Sequence, residues 1–239
     1  MTVWIYVTNS DSGLTGSNCK SKDVMNSPFQ SDSFRAPRER MVRRQLADRG
    51  IGDVRVLGAM REVPRHEFVD ESLRQDAYED HPLPIGADQT ISQPYIVAIM
   101  LQHLELQPSG RILEVGTGSG YVTALLGTLC AEVYSVERHA DLALAAESRL
   151  ARLGYSNVKI RIGDGTRGWP EYAPYDAILV SAAAWEVPAQ LFAQLREGGR
   201  MMLPVGPAYS QELQLIRKVG GQAERQSLEG CRFVPLVEG

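Results

Sequence analysis

Hydrophobic positions change their spacing twice along this chain, and the two changes divide it into three stretches. From Thr8 to Ser33 the sequence is crowded with Ser, Asn, Asp and Gly and has no hydrophobic period. Such a segment buries too little apolar surface to offset its ordering entropy, so residues 1–33 are expected to form a flexible leader. From about Arg35 to Asp80 apolar residues recur at helical spacing, Val42 with Leu46, then Val54, Leu57 and Met60 with Val63 just beyond, each set on one face of a helix. Pro82, Pro84 and Gly86 break that rhythm. Residues 81–93 are therefore expected as a loop, with a helix beginning at Pro94, where the missing N–H of proline costs nothing.

After Gly110 short apolar runs alternate with amphipathic stretches, the pattern of a parallel sheet with crossover helices. The expected elements are strands at 111–115, 133–136, 158–162, 177–180 and 201–203, and helices at 121–129, 141–153 and 188–195. In the tail, Leu213, Leu215 and Ile216, and later Phe233 to Val237, read as strands closing the sheet edge. No internal repeat is present. The fold class that follows is α/β with a mostly parallel central sheet. Residues 34–239 make a single domain, in which 34–93 are a helical preface and loop and 94–239 an α/β core.

Composition narrows the function without choosing it. Lys and Arg number 25 against 29 Asp and Glu, a formal charge of −4, so nothing suggests a surface for gripping a phosphate backbone and no nucleic-acid partner is expected. No apolar run approaches the ~20 residues that span a bilayer, and Met1 to Val7 lacks the basic start of a secretory signal. The three cysteines, Cys19, Cys130 and Cys231, fit neither a disulfide framework nor a zinc site. A reducing, cytoplasmic setting fits them best.

Glu114-Val115-Gly116-Thr117-Gly118-Ser119-Gly120-Tyr121 lies where the first sheet strand turns into its helix, a place where glycines let a ligand approach the backbone. The spacing is GxGxG. It completes neither the dinucleotide fingerprint nor the phosphate loop, which needs a lysine. Glu137 ends the next strand, where a carboxylate can accept both hydroxyls of an unphosphorylated ribose. Gly163-Asp164-Gly165 follows the third, offering a carboxylate beside an adenine. Singly, each of these has a plain structural reading: a tight turn, an ion pair with Arg138, a turn carboxylate before glycine. Together, at successive carboxyl ends of a parallel sheet, they point to one nucleoside site.

From Arg40 to Val237 the chain resembles the protein-L-isoaspartate O-methyltransferases. The likeness rests on Met41 to Leu46, Val63-Pro64-Arg65-His66-Glu67-Phe68-Val69, Gln89-Thr90-Ile91-Ser92-Gln93-Pro94-Tyr95, Val133 to Arg138 and Gly163 to Gly165. The resemblance implies a Rossmann-like methyltransferase fold that uses S-adenosylmethionine without a metal, acting as a monomer on isoaspartyl residues of damaged proteins and peptides. It places Ser92 at the catalytic centre. Thr90, Gln93, Glu114, Gly116, Thr117, Gly118, Ser119, Gly120, Glu137, Arg138, Asp164, Gly165 and Ser181 are implied to hold the donor, and Ile91, Ala182, Val187 and Pro188 to line the acceptor side. Asp88 departs from the family, standing where relatives carry a small residue, and is expected to point away from the acceptor or to be met by backbone N–H groups.

Methyl transfer to a carboxylate needs no strong base, because a carboxyl with a pKa near 4 is already ionised at neutral pH. Ser92 fits as a hydrogen-bond donor that aligns one acceptor oxygen. A hydrolase reading lacks support, since the flanks of Ser92 and Ser119 do not match a nucleophile elbow. A zinc helix at His66 would need a second histidine at position 70, which is Asp70. His103 and His139 read as surface or helix-end residues. Trp169, Trp185 and Tyr175 read as core or pocket wall, and Cys130 and Cys231 as inert core thiols.

Overall fold

The computed structural model describes residues 33–237, so the expected leader, apart from Ser33, and Cys19 lie outside the described residues. The helical preface is present, though less regular than its hydrophobic spacing suggests. Helix α1 (Arg35–Arg40) runs into a π-helical stretch at Met41–Leu46 and a 3-10 turn, and α2 (Val54–Glu62) follows. The Asp53 carboxylate accepts the N–H groups of Arg55 and Val56, an N-cap that satisfies donors the first turn would otherwise leave unpaired. Two further 3-10 turns, Arg65–Phe68 and Glu71–Asp76, lead to the segment expected as a loop.

That segment is instead a small antiparallel hairpin, β1 (Leu83–Gly86) and β2 (Gln89–Ile91). Pro84 is tolerated because a two-stranded ribbon has no central strand. The turn is tight: Ala87 and Asp88 have φ of +51° and +56°. Helix α3 (Pro94–Leu104) then begins with Pro94 as its first residue, as expected.

The central sheet has seven strands: β3 (Arg111–Val115), β4 (Glu132–Glu137), β5 (Val158–Ile162), β6 (Tyr175–Val180), β7 (Leu195–Val205), β8 (Gln211–Val219) and β9 (Gln222–Cys231). Between them lie helices α4 (Tyr121–Leu129), α5 (Ala140–Arg152) and α6 (Ala189–Gln194). In space the order is β5-β4-β3-β6-β7-β8-β9. The first five are parallel, and β8 and β9 return antiparallel. Successive residues of the central strands face opposite cores. Ile112 and Leu179 join the larger one with α2, α3 and α4, whereas Leu113 and Ile178 join a smaller one closed by Leu191 of α6 and by Trp169 and Tyr172. Strands covered on both faces read as unbroken apolar runs for this reason.

Three expectations at the carboxyl-terminal end need correction. Strand β7 starts at Leu195 rather than 201, with Gly198 and Gly199 inside it. The outermost strand is the polar β9, not the apolar run at 233–237. That run leaves the sheet edge and crosses back to the β6 loop, where Ala183 donates to the carbonyl of Val234 and accepts from the N–H of Leu236, both at 2.8 Å. Trp185, expected inside, is 77% exposed.

Candidate active site

The chain leaves β3 toward β4 on one side of the sheet, and β6 is laid down on the other, so a crevice opens between the carboxyl ends of β3 and β6. Open α/β sheets bind ligands at such a switch point. Here a cavity of about 570 Å3 occupies it, within the range of small-molecule sites. The Ser181 N–H donates to the Val115 carbonyl at 2.8 Å and ties the two strand ends together.

The glycine loop forms one wall. Gly116, Gly118 and Gly120 have φ of +92°, +53° and +86°, a region that other residues occupy only at a cost of roughly 1–2 kcal/mol. At Gly118 a Cβ would also come within 3.2 Å of Ile85 Cδ1 on the hairpin. Opposite stands Glu137, 5% exposed, whose two oxygens accept the N–H groups of Gly118 at 2.8 Å and His139 at 2.9 Å. One carboxylate thus pins the glycine loop to the end of β4, with lone pairs remaining for ribose hydroxyls. Gly165 brings bare backbone to the wall, and a side chain there would collide with Val115.

Thr90, Ile91, Ser92, Gly116, Thr117, Gly118, Ser119, Glu137, Arg138, Gly165, Ser181 and Ala182 all border this cavity. Other candidates lie elsewhere. Gly120 caps α4. Asp164 spends one oxygen on the Thr166 N–H and hydroxyl, at 2.9 and 2.7 Å, and caps a short turn. Pro188 caps α6 and Val187 packs on the smaller core, and neither borders this cavity.

Glu114 is wholly buried beneath the loop, where one oxygen accepts the hydroxyls of Thr123 and Ser135, both at 2.6 Å. Ser135 is in turn 2.5 Å from the Thr117 hydroxyl. Burial pushes the Glu114 carboxyl up to about 8 despite those two hydrogen bonds, and the nearby charge of Glu137 adds to the rise. Glu114 braces the loop from below and does not touch the cavity.

A second cleft, of about 600 Å3, opens beside the first and shares Thr90, Ser92, Ser181 and Val234 with it. Gln93 borders this cleft rather than the first. Arg232 is the single charged side chain among its lining residues. Sequence reasoning missed Tyr209 to Gln211 and Arg232 to Val234 in this wall. It also missed Val234 to Val237, Ile85 and His139 in the first, since no motif marks them. Asp88 borders the first cavity and not the cleft, and among the described residues no backbone N–H donates to its carboxylate. Cys130 is buried, which pushes its thiol up to about 12; Cys231, half-buried at the cleft and raised to about 11, packs against the larger core rather than within it. Among the described residues no cluster of potential ligands could hold a metal ion.

A GxGxG loop, an acid at the end of the second strand and two joined clefts over a switch point form a nucleoside site of the kind that S-adenosylmethionine-dependent methyltransferases carry. Comparison with known proteins narrows the class. The sequence matches the protein-L-isoaspartate(D-aspartate) O-methyltransferase family over residues 36–239, and the chain belongs to that family. It is 54% identical over 205 residues to protein-L-isoaspartate O-methyltransferase 1 of Syntrophobacter fumaroxidans, covering 86% of this chain and 96% of that one. It is 56% identical over 201 residues to the Opitutus terrae enzyme, covering 84% and 86%. A solved protein-L-isoaspartate O-methyltransferase superposes with a TM-score of 0.76 at 32% identity, over 83% of this chain and 65% of that one. A Plasmodium falciparum structure assigned to the same activity, in complex with S-adenosyl-L-homocysteine, gives 0.74 at 29% identity over 84% and 99%.

Proposed function

We propose that this chain transfers a methyl group from S-adenosylmethionine to the free α-carboxylate of isoaspartyl residues in damaged proteins and peptides, which starts their repair through a succinimide. The observation that carries the reading is the meeting of the two clefts at Thr90, Ser92, Ser181 and Val234. A donor in the first and an acceptor in the second would face each other there. The first cleft fits the cofactor's nucleoside, with a backbone cradle at Gly118 that a Cβ would fill and a buried carboxylate at Glu137. The second suits an anionic acceptor, because its one charged lining residue is Arg232.

S-adenosylmethionine, when bound, supplies a methyl group activated on a positively charged sulfur. The chain's own part is alignment and exclusion of water, and holding reactants in near-attack geometry contributes on the order of 7–11 kcal/mol. Ser92, half-buried at the junction, donates its hydroxyl to one acceptor oxygen and leaves the other to attack. Thr90 and Ser181 frame the junction, while the glycine loop and Glu137 hold the nucleoside.

No helix among the described residues is long and apolar enough to cross a membrane. Action in the cytoplasm as a monomer is part of the proposal. The test is methyl transfer from labelled S-adenosylmethionine to matched peptides differing only in Asp or isoaspartate, scored by base-labile methanol. Label confined to the isoaspartyl peptide is expected. Equal labelling of both, or of neither while S-adenosylhomocysteine still binds, would move the search to another acceptor.

A further inference from the structure

Arg65 is a fully buried arginine that the glycine loop, the strand-end acids and the serine do not account for. It sits at the start of the Arg65–Phe68 turn. Nε donates to the carbonyl of Ala77 at 2.7 Å, and Nη2 donates to the carbonyl of Ser92 at 2.9 Å. The guanidinium carbon lies 4.9 Å from the centre of the Tyr121 ring. Tyr121 is the first residue of α4, directly after the glycine loop, and borders the first cleft.

We propose that Arg65 is a positioning residue for methyl transfer, fixing the peptide plane of Ser92 against the helix that carries the donor loop. The need for such a tie follows from where Ser92 stands. Strand β2 ends at Ile91, and the first carbonyl to accept an α3 bond is that of Gln93, from Val97. Ser92 lies between, held by neither ladder, and it precedes a Gln93-Pro94 step at which no proline N–H is available. Among the described residues, the one hydrogen bond to Ser92 comes from Arg65. A charge-assisted bond to that carbonyl fixes the rotation of the peptide, and with it the direction of the Ser92 side chain.

The same guanidinium packs on Tyr121, so one rigid fork touches both halves of the site. A planar fork can satisfy two carbonyls from one edge, which a lysine ammonium cannot reproduce. Burial lowers the Arg65 pKa only to about 10, so the charge persists at neutral pH.

The inference rests on the proposed role of Ser92, and a double-mutant cycle separates the two. Arg65→Lys keeps the charge, and Arg65→Gln keeps an uncharged donor near the Nε position that stops short of the Ser92 carbonyl. Each is made alone and together with Ser92→Ala, and kcat, peptide KM and S-adenosylhomocysteine Kd are measured. Arg65→Lys is expected to lower kcat about tenfold or more, since small misplacements of reacting groups are costly, while Kd changes less than threefold. In the Ser92→Ala background the same change is expected to lower kcat less than twofold. Equal losses in both backgrounds, an unchanged kcat beside a lowered Tm, or failure of both Arg65 variants to fold would overturn the proposal in favour of a purely structural arginine. Full activity of Ser92→Ala alone would instead remove Ser92 from the mechanism, and with it the route by which Arg65 is proposed to act.

Discussion

The buried carboxyl of Glu114 makes stability itself depend on pH, in a direction opposite to that of a salt-bridged acid. In the folded protein it stays protonated up to about pH 8, whereas in the unfolded chain it ionises near 4.5. Below pH 4.5 both states hold the proton and no stability is lost. As pH rises from there the unfolded chain releases its proton first, so ionisation favours unfolding, at about 1.4 kcal/mol per pH unit. The loss levels off only above pH 8, where the folded carboxyl also ionises. Between pH 5 and 7.5 this amounts to roughly 3 kcal/mol, or about 6–12 °C in Tm at ~2–4 °C per kcal/mol for a domain of this size.

Glu114→Gln isolates the effect. The amide oxygen can still accept from Thr123 and Ser135, yet it has no proton to lose. At pH 5 the variant should match the parent within about 1 kcal/mol, as a protonated acid and an amide are similar in charge. By pH 7.5 it should be the more stable of the two by several degrees. Thermal unfolding of both proteins across pH 5–8.5 reads this directly, and the shared behaviour of all other groups cancels in the difference. Parallel Tm curves would show that the folded carboxyl titrates as it does in water, and that the buried network does not hold a neutral acid.

Further outcomes are expected elsewhere. Ser92→Ala should lower kcat about 10- to 150-fold, the equivalent of one hydrogen bond to a charged group at ~1.5–3 kcal/mol, with S-adenosylhomocysteine affinity by calorimetry within threefold; an unchanged kcat would contradict the role. Glu137→Gln loses the acceptor for one of two backbone N–H groups, and its donor Kd should rise about tenfold or more while peptide KM holds. Gly118→Ala should weaken donor binding measured the same way, because the new Cβ meets Ile85 in a left-handed backbone. Trp185→Ala should change unfolding free energy in urea by no more than about 0.5 kcal/mol, as an exposed side chain would. Native alkylation at pH 8 followed by peptide mapping should leave Cys130 unlabelled, since burial holds its thiol up near 12.

Much of the fold was legible because its information is local. Ile112 to Val115 and Ala177 to Val180 are covered on both faces, and apolar runs flanked by glycine loops announce that. Strand β9 was invisible because ten residues at a sheet edge need no apolar face, and its Gln, Glu and Arg read as loop. The apolar run at 233–237 misled for the opposite reason, since its side chains serve a cavity wall rather than a sheet. At the site, Glu137 was recognisable from its place at a strand end. Glu114 looked equivalent, but it stands one residue before its strand ends, and strand alternation turned it into the protein. Arg65 stands in the Val63 to Val69 block that carries the family likeness, but no feature of the sequence assigned it a role; its two carbonyl partners, Ala77 and Ser92, become adjacent only on folding.

The segment from Val234 to Val237 walls the first cavity opposite the glycine loop, which lies far earlier in the chain. The enclosure is therefore a product of distant contacts: a copy cut before Val234 would keep the glycine loop and the strand-end acids yet lose one side of the pocket. Limited proteolysis near that segment should accordingly abolish ligand binding while leaving the sheet folded.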